Sequence, residues 1–422
     1  MNSGFLLYRK TMGDGDSQAS LDWSDCYCGT AWFTDARGTA FLDFLSGFGI
    51  FNVGHRHPKV ISAVQAQLTK QPMHSQEFLD PLRAYAAKLL ALLMPGPLLT
   101  HFFFVNSGAE AVEAALKMAM LHTGRHRLIS CVNAFHGKTL GALAATSKAT
   151  FRAPFLPALA AATHTSFNDV SALQTAFETA KFTGNLIAAL IIEPVQGEGG
   201  VFVASAEYLR AARHLCTAHG ACLIFDEVQC GFGRTGKWFA CEHSGVVPDL
   251  MCIGKSAGGG VMPVSACCGT AVIWEKYIDN PFLLTSTFGG NPMAMAALIA
   301  TVNVIIDDNL LEAATQRGEQ LRTGLQLLAS RYPALIKEIR GLGLMLAVEF
   351  VENDIGVDWC RNCLRRRVLV AGTLISASTV RVCPPLVITK HEINYALNEM
   401  ECALQDVWRR KCKEFTHPPA RL

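Results

Sequence analysis

The chain carries little charge, and its two signs nearly cancel. Asp, Glu, Lys and Arg make up only 17% of its 422 residues, and the formal net charge is +2. Because this balance produces no field able to hold a polyanion, we do not expect nucleic acid as a partner. Half of the residues are hydrophobic. The length and the apolar content together predict a large core and two domains packed against each other.

Uninterrupted apolar runs of membrane-spanning length are also absent from the sequence. The longest apolar stretch, KLLALLMPGPLLTHFFFV, is broken by two prolines, a glycine and a histidine. It therefore does not resemble a transmembrane helix. The first residues, MNSGFLLYRKTMGDGD, contain no apolar core of signal-peptide length before their charges. We expect neither a membrane partner nor a secretory signal.

Cysteine is frequent but lacks the pattern of a disulfide framework or of a zinc site. The chain has 15 cysteines, an odd number. Without secretory signals, they predict free thiols in a reducing, cytoplasmic environment. One C-x-x-C pair, Cys360 and Cys363 in DWCRNCLRRR, has no second pair and no preceding strand. We interpret both as helix-surface or core thiols, and no metal site is predicted.

Short apolar runs alternate with helical patterns through most of the chain. The strand candidates are HFFFV, HRLISCV, LIAALIIEP, ACLIFDE and DLMCIGK, whereas AEAVEAALKMAMLHTG and SAEYLRAARHLCTAHG are typical of helices. Strands that are apolar on both faces predict an α/β fold with a mostly parallel sheet between two layers of helices. Ligands bind at the carboxyl ends of such strands, which here carry NSGAE, NAFHG, EPVQGEGG, DEVQ and GKS.

The pattern changes after about residue 290. A long helical pattern runs through NPMAMAALIATVNVIIDDNLLEAATQRGEQLRTGLQLLAS, and the strand candidates GLGLMLAVEFV, VLVAG and TVRVCPPL follow it. These elements predict a smaller α+β domain. We predict a large domain over residues 51–292 and a C-terminal small domain over residues 293–422. Residues 1–50 are expected to contribute to the small domain and to the entrance of the site.

The stretch LIFDEVQCGFGRTGKWF matches two phosphate-binding signatures in part. Its glycines satisfy G-x-G-x-x-G, but no sustained helical period follows, and Asp226 and Glu227 directly precede them. These features disfavour dinucleotide binding. The P-loop signature fails because Trp238 occupies the position of the hydroxyl that binds magnesium. The GKS at 254–256 has Asp249 in place of the first glycine of that signature, so ATP is not expected either.

Another phosphate-bearing cofactor, pyridoxal phosphate, fits the same residues better. It requires a lysine amine, a carboxylate for the pyridinium nitrogen and a helix N-terminus for the phosphate. IIEP, LIFDEVQ and MCIGKS place candidate groups at three successive strand ends, and Ser107 and Gly108 open the helix of NSGAEAVEAALKMA. Each of these alone is an ordinary turn or cap. Their joint occurrence in this order favours the cofactor.

With these residues assembled, the chain is similar to the class III, or ω-amino-acid, family of pyridoxal-phosphate aminotransferases. The similarity runs from DARGTAFLDFLSGFGIFNVGHRHP to VRVCPPL. Its most specific parts are NSGAEAVEAALKMA, FHGKTLGALAAT, EPVQGEGG, DEVQCGFGRTG, CEHSGVVPDLMCIGKSAGGG and TSTFGGNP. The resemblance implies fold type I and a homodimer whose active sites lie at the subunit interface.

Stretches outside these motifs resemble the putrescine aminotransferases of this family. They are QPMHSQEFLDPLRAYAAKL, DNPFLLTSTFGGNP, EFVENDIGV and RRRVLVAGTL. The resemblance implies that the terminal amino group of a diamine, putrescine above all, moves to 2-oxoglutarate. The products would be glutamate and 4-aminobutanal, which cyclises to 1-pyrroline. Cadaverine, ornithine and N-acetylornithine are alternative donors.

Other activities of fold type I are more distant alternatives. They are racemisation, decarboxylation and a non-enzymatic binding function. The complete set of Lys255, Asp226 and Arg381 argues against a binding protein. An arginine able to bind an oxo acid favours amino transfer over racemisation.

The resemblance also assigns the cofactor contacts residue by residue. Lys255 is implied to bind the cofactor covalently and, once substrate displaces it, to act as general base. Asp226 is implied to face the ring nitrogen, and Gln229 the phenolic oxygen. The other implied contacts are Ser107, Gly108 and Ala109 with the phosphate, Thr287 with the phosphate of the neighbouring subunit, Phe135 and His136 with the ring, and Glu193.

Glu198 and Arg381 are the substrate-binding residues that the resemblance implies. A diamine has no carboxylate, whereas 2-oxoglutarate has two, so one site must accept both. The family solution is a switch. Glu198 pairs with Arg381 while the diamine is bound, then moves so that Arg381 can grip the 2-oxoglutarate carboxylate with two parallel hydrogen bonds.

Three features depart from the family pattern. Ala109 and Cys230 stand where threonine is frequent, so one hydroxyl to the phosphate is missing. The chain also begins later than the putrescine enzymes, which is expected to weaken the dimer or reshape the entrance. None of these departures removes an essential chemical group. Arg234, within the glycine-rich stretch, is interpreted as a structural or interface charge.

Overall fold

The computed structural model of the chain describes residues 23–26, 29–75, 77–278 and 280–416. The strands are β1 (Trp23–Cys26), β2 (Trp32–Asp35), β3 (Ala40–Asp43), β4 (Leu99–Val105), β5 (Arg127–Cys131), β6 (Ala162–Thr165), β7 (Ile187–Ile192), β8 (Val195–Gln196), β9 (Phe202–Val203), β10 (Cys222–Asp226), β11 (Leu250–Ile253), β12 (Ser265–Thr270), β13 (Ile336–Leu342), β14 (Met345–Phe350), β15 (Val368–Leu369), β16 (Ala371–Gly372) and β17 (Thr379–Val382).

Helices lie between most of these strands. The α-helices are α1 (Ser46–Gly49), α2 (Pro58–Leu68), α3 (Pro81–Leu93), α4 (Gly108–Thr123), α5 (Leu140–Ala145), α6 (Ala149–Arg152), α7 (Val170–Phe182), α8 (Gly197–Gly200), α9 (Ala206–His219), α10 (Ala271–Ile278), α11 (Pro292–Asp307), α12 (Leu310–Arg331), α13 (Asn353–Arg365) and α14 (Lys390–Thr416). Short 3₁₀ turns span Ala153–Ala158, Ala240–His243, Lys255–Gly258 and Pro281–Leu283.

Seven strands form the large sheet, in the order β4-β12-β11-β10-β7-β5-β6. Six of them run in the same direction, and β12 is antiparallel to both of its neighbours. The five strands predicted in this part of the chain are present, and the predicted α/β fold with a mostly parallel sheet is confirmed. Strands β6 and β12 were not predicted, because ATHT and SACCGT lack the bulky apolar residues that mark a buried strand.

The two faces of the large sheet pack into two separate apolar clusters. Along β7, Leu190 and Ile192 belong to one cluster, whereas Ala189 and Ile191 belong to the other, which contains α4. Side chains of successive strand residues point to opposite faces, so a strand covered on both sides must be apolar throughout. Every residue of β7 and β10 is buried, which explains their unbroken hydrophobic sequences.

The two helices predicted from their periodicity end at residues suited to those positions. In α4, the Ser107 side chain accepts from the backbone N–H of Glu110, and Gly124 closes the helix with a left-handed conformation. In α9, Ser205 and Gly220 serve the same purposes. Serine satisfies free N–H groups at a helix start, and glycine adopts positive φ without strain. Both helices therefore begin and end where the sequence indicates.

The long helical pattern after residue 290 is two helices rather than one. Between α11 and α12, Asn309 has a φ of +50°, and the helix axes differ by 63°. Among the described residues, each helix taken singly is too short or too polar to cross a bilayer. The bent pair α11–α12, taken together, has the length and the apolar composition of a membrane-spanning segment, and no other feature supports that interpretation among the same residues.

Strand pairing joins the N-terminal part of the chain to its C-terminal part. The sheet β1-β2-β3-β15 is closed by parallel pairing of β3 with β15. A second four-stranded sheet has the order β13-β14-β17-β16, and β8 and β9 form a small hairpin. The three short strand regions predicted after residue 335 are all present. The domain boundaries at residues 50 and 292 stay a prediction.

The thirteen cysteines whose side chains the structure describes are free thiols, and eleven of them are buried. Cys360 and Cys363 are both buried on α13, which confirms their interpretation as core thiols. Within the described residues, His, Cys, Asp and Glu form no group of three that could hold a metal ion.

Candidate active site

The carboxyl ends of three neighbouring strands meet at one cavity. Glu193 follows β7, Asp226 ends β10 and Lys255 follows β11, and these strands lie side by side. The cavity volume is about 210 Å³. Its lining consists of Gly108, Ala109, Phe135, His136, Gly137, Glu193, Glu198, Asp226, Val228, Gln229 and Lys255. Nine of these eleven residues were predicted to bind cofactor or substrate.

Lys255 begins a short 3₁₀ turn directly after β11. Its φ is +47°, in the left-handed region that residues other than glycine rarely adopt. Strain of this kind concentrates at functional sites. Burial lowers the pKa of the Lys255 amine, although the charge of Glu198 opposes the shift. An amine that loses its proton more readily is a better nucleophile and base.

Asp226 is held by two partners at the wall of the cavity. Its Oδ2 lies 2.8 Å from Nδ1 of His136, and its Oδ1 accepts from the backbone N–H of Val228 at 3.1 Å. Burial disfavours the charged imidazole, but the hydrogen bond to Asp226 and the charge of that carboxylate raise the pKa of His136. The carboxylate is thus fixed in orientation beside a protonatable ring.

Glu193 connects two loops beneath the cavity. Its carboxylate accepts from the backbone N–H groups of Phe135 at 3.0 Å and of Gly197 at 3.2 Å. Burial, with a further contribution from the charge of Asp226, raises the pKa of Glu193 to about 7. Glu193 therefore orders the loops that carry Phe135 and Glu198, and it changes charge near neutral pH.

The N-terminus of α4 approaches the end of β10 closely. A Cβ on Gly108 would lie 2.6 Å from Cγ1 of Val228, so only glycine permits this approach. The first N–H groups of a helix have no partner within the helix, and with the helix dipole they favour an anion. Ser107 caps the helix rather than lining the cavity. Thr287 is exposed and lies away from it within the same chain.

Two buried polar atoms at the cavity have no protein partner within the described part of the chain. They are Oε1 of Gln229 and Nε2 of His136. The amide nitrogen of Gln229, in contrast, donates to the Phe48 carbonyl at 3.1 Å and to Glu198 Oε1 at 3.3 Å. An unpaired buried polar group is costly, which indicates that a bound molecule completes these contacts.

Glu198 and Arg381 form a buried ion pair beside the same cavity. Oε2 of Glu198 lies 2.9 Å from Nη2 of Arg381 and accepts from the backbone N–H of Leu374 at 3.1 Å. Burial opposes ionisation of Glu198, but the charge of Arg381 lowers its pKa to about 2. Nε and Nη1 of Arg381 have no partner among the described residues. Buried donors without a partner are costly.

A strained turn, which the sequence analysis did not identify, supports this pair. Ser46, Gly47, Phe48 and Gly49, the residues of α1, all have positive φ, so this short element is a left-handed turn rather than a regular α-helix. Asp43 stabilises the turn, because its carboxylate accepts from the backbone N–H groups of Leu45 and Ser46, both at 2.8 Å. The turn places the Phe48 ring 5.1 Å from the Arg381 guanidinium. The GFG sequence at 47–49 is the signal that could have identified this turn, since glycine adopts positive φ without strain.

The glycine-rich stretch after Gln229 forms turns rather than a phosphate loop. Glu227, buried, accepts from the N–H groups of Ala240 and Cys241 and from the Cys230 thiol at 2.9 Å. Arg234 is also buried and donates to the carbonyls of Leu344 and Pro384. Its interpretation as a structural charge is therefore confirmed.

The residues at this cavity fit pyridoxal phosphate. Lys255 supplies an amine of lowered pKa, Asp226 a fixed carboxylate, and Gly108 with Ala109 a helix N-terminus. The unpaired atoms of Gln229 and His136 offer further polar contacts. Bound there, the cofactor supplies a ring that accepts electrons when a bond at the substrate carbon breaks.

Comparison with protein families gives an independent assignment. The family model described as aminotransferase class-III matches residues 28–404. The match covers the N-terminal sheet apart from β1, the large sheet and most of the C-terminal region, and it includes every predicted site residue.

Solved structures of aminotransferases share this fold over nearly the whole chain. Ornithine aminotransferase from Toxoplasma gondii is 30% identical, with a TM-score of 0.86 over 97% of this chain and 96% of that one. Acetylornithine aminotransferase from Elizabethkingia anophelis is 29% identical, with a TM-score of 0.79 over 96% and 100%. An (S)-enantioselective omega-transaminase from Thermomicrobium roseum is 28% identical, with a TM-score of 0.85 over 96% and 99%.

Proposed function

Because this chain belongs to the class-III aminotransferases, which use pyridoxal phosphate and have fold type I, we propose that its amino donor is a diamine. Putrescine is the favoured donor, and 2-oxoglutarate is the acceptor. The products are glutamate and 4-aminobutanal, which cyclises to 1-pyrroline. The subgroup resemblance of QPMHSQEFLDPLRAYAAKL and RRRVLVAGTL supports putrescine among the possible donors.

The observation that carries this proposal is the ion pair between Arg381 and Glu198, a residue that lines the same cavity as Lys255. A buried arginine without a partner costs several kcal/mol. While Glu198 neutralises it, the site accepts an uncharged methylene chain. When Glu198 moves away, Nε, Nη1 and Nη2 of Arg381 can bind a carboxylate of 2-oxoglutarate. One site thus serves a donor without a carboxylate and an acceptor with two.

The residues that act on protons are Lys255 and Asp226. With the substrate attached to the cofactor, Nζ of Lys255 would be free to take a proton from the substrate carbon. Asp226, oriented by His136, would keep the ring nitrogen of the bound cofactor protonated. Removal of Lys255 therefore deletes an anchor and a base together, whereas removal of Asp226 weakens the ability of the ring to accept electrons.

Ornithine and N-acetylornithine form the second candidate donor class. Two structural neighbours near 30% identity carry the names ornithine aminotransferase and acetylornithine aminotransferase. Both donors resemble putrescine in their terminal amine but add a carboxylate. Competition between Glu198 and that carboxylate for Arg381 is the physical difference between the two donor classes.

We also propose that two copies of the chain form a dimer with shared sites. Several large apolar side chains are exposed in two segments that touch, since Gly290 packs against Arg83. They are Phe78, Leu79, Tyr85, Phe282, Leu283 and Phe288. Apolar patches of this kind mark protein interfaces. Thr287 lies within this patch. In a dimer built on the patch, its side chain would lie near the cavity of the partner subunit.

The test of the donor uses single half-reactions. The cofactor-loaded protein is mixed with putrescine, cadaverine, ornithine or N-acetylornithine without an acceptor, and the absorbance of the bound cofactor is followed. Conversion from the aldehyde form to the amine form is expected with putrescine, at a higher kcat/KM than with the other amines. Preference for ornithine or N-acetylornithine would replace putrescine with the second donor class.

A further inference from the structure

Arg340, on β13, is a buried residue that binds three separate parts of the chain. Its Nε donates to the carbonyl of Gly200 at 2.7 Å, and its Nη2 donates to Oγ1 of Thr379 at 3.2 Å. Its guanidinium plane packs over the Phe202 ring at 4.0 Å. A planar group with five donors can connect several segments at once, which a lysine cannot do.

The charge of Arg340 is already balanced. Its Nη1 donates to Oε2 of Glu338 at 2.8 Å and also to Glu349. Glu349 in turn accepts from Lys337 at 2.6 Å. A guanidinium occupied in this way is not available to a substrate carboxylate. Its function must therefore lie in the segments that it holds.

Two of those segments carry the residues of the substrate switch. Gly200 follows Glu198 by two residues at the end of α8, and Thr379 precedes Arg381 by two residues on β17. Thr379 and Arg381 lie on the same face of their strand, because side chains alternate. One buried guanidinium therefore connects the backbone near Glu198 to the strand of Arg381.

The loop after β16 is attached to the same two segments. The backbone N–H of Ile375 donates to the carbonyl of Glu198 at 3.2 Å, and Oγ of Ser376 lies 2.8 Å from Oγ1 of Thr379. Arg340 thus joins a network in which the main chain around Glu198 is fixed. The Glu198 side chain is left as the part that can move.

We infer that Arg340 is a positioning residue that keeps Glu198 in register with Arg381, so that the switch operates by side-chain rotation alone. This inference rests on the proposed function of the Glu198–Arg381 pair. A substitution that weakens the contacts of Arg340 lowers the fraction of molecules in which Glu198 is paired with Arg381. Donors without a carboxylate then bind less well, whereas carboxylate ligands displace Glu198 more easily.

The first test is a double-mutant cycle with Arg340→Lys and Glu198→Ala in the cofactor-loaded protein. With Arg340→Lys alone, we expect kcat/KM for the putrescine half-reaction to fall about tenfold and that for 2-oxoglutarate to change much less. In the Glu198→Ala background, Arg340→Lys should leave the ratio of the two half-reactions unchanged. Equal loss in both half-reactions, or full additivity, would overturn the inference.

The second test does not depend on the amine donor. Glutarate, a dicarboxylate that cannot react, is titrated calorimetrically into the cofactor-loaded protein. Arg340→Lys should lower its Kd about threefold, and this effect should vanish in the Glu198→Ala background. An unchanged or higher Kd in Arg340→Lys contradicts the inference even if putrescine proves not to be the donor. Failure of wild type to react with putrescine contradicts only the proposed donor.

Two further variants separate positioning from general damage. Thr379→Val keeps the side-chain volume but removes one contact of Arg340, so it should shift both measurements in the same direction by a smaller factor. Arg322→Met is the matched control, since Arg322 also donates to a backbone carbonyl of β13, that of Gly341. The inference fails if Arg322→Met changes the ratio of half-reactions as much as Arg340→Lys does.

Discussion

Nη2 of Arg381 lies 2.9 Å from Oε2 of Glu198, and the two residues are only 1% and 5% exposed. Two opposite charges buried this deeply need each other, because an unpaired one would be strongly disfavoured. Two donors of Arg381, Nε and Nη1, nevertheless lack a protein partner among the described residues. The arginine is thus neutralised, while part of its hydrogen-bonding capacity is unused among the described residues.

Removing Glu198 tests this relationship directly. Glu198→Ala leaves Arg381 as an unpaired cation facing the amine donor, so kcat/KM for the putrescine half-reaction should fall about a hundredfold. The glutamate half-reaction should change far less, because the substrate carboxylate then neutralises Arg381. Rapid-mixing absorbance measurements of the two half-reactions give both values. Equal losses would mean that the pair is only structural.

Lys255 is expected to be the covalent anchor of the cofactor. Borohydride reduction of the loaded protein should fix the chromophore on the tryptic peptide that contains Lys255, detected by mass spectrometry. Lys255→Ala should lower the turnover rate by about 10⁴-fold, since it removes the nucleophile and the base. Lys237→Ala is the matched control, because Lys237 also follows a glycine and is exposed. Labelling at any other peptide would refute the assignment.

Glu193 should make the stability of the cofactor-free protein depend on pH. Its pKa is about 7 in the folded protein against an ordinary value of 4.5. Between these values the unfolded chain loses a proton that the folded chain keeps, so the free energy of unfolding falls as pH rises. The decrease should total about 3 kcal/mol and end above the folded pKa.

The variant Glu193→Gln should abolish that dependence. The difference in Tm between Glu193→Gln and wild type, measured by thermal denaturation from pH 4.5 to 8, should grow with pH and level off above about 7. Glu319→Gln, on an exposed side chain of α12, should show no such trend. A constant difference across the whole range would show that Glu193 ionises normally.

Gly108 should be needed for the approach of α4 to the end of β10. In Gly108→Ala the new Cβ would meet Val228 at 2.6 Å, and overpacking of this kind costs about 1–3 kcal/mol. We expect at least a tenfold loss of affinity for pyridoxal phosphate, measured by fluorescence titration of the cofactor-free protein. Combining Gly108→Ala with Val228→Ala should restore binding, since the three atoms nearest to the new Cβ all belong to Val228. No recovery in the double variant would place the defect elsewhere.

The proposed dimer can be tested through its exposed apolar patch. Sedimentation equilibrium should give twice the mass of the chain, and Phe288→Glu should shift the protein toward monomer because it buries a charge at the interface. Phe182→Glu is a matched control, since Phe182 is 94% exposed but lies on α7. A monomeric wild-type protein, or equal effects of the two variants, would contradict the proposal.

The central strands that were predicted share one physical property: they are buried on both faces. The strands in LIAALIIEP and ACLIFDE must be apolar to fit between two layers of helices, so their sequences reveal them. β12 and β6 carry no such signal. SACCGT is a strand only because β4 and β11 provide hydrogen-bond partners on either side, and those partners are more than ten residues away along the chain.

The site residues also divide into those that the sequence reveals and those that it does not. Lys255, Asp226 and Glu193 could be found because each follows a recognisable strand, and parallel strands end at one edge of a sheet. Arg340 and Asp43 could not be found. Arg340 donates to the carbonyl of Gly200, which is distant in the sequence, and Asp43 accepts from the N–H groups of an irregular turn. No local sequence pattern indicates such contacts.

The sequence alone determined the fold class, the strand-end residues that approach one another and the chemical kind of cofactor they suit, because these depend on local hydrophobic periodicity and on residue type. Only the tertiary structure decided that His136 orients Asp226, that Asp43 stabilises the turn that contains Phe48, and that Arg340 connects the backbone near Glu198 to the strand of Arg381. Ion pairs and hydrogen bonds between residues far apart in the chain depend on distances of a few ångströms, which packing alone establishes.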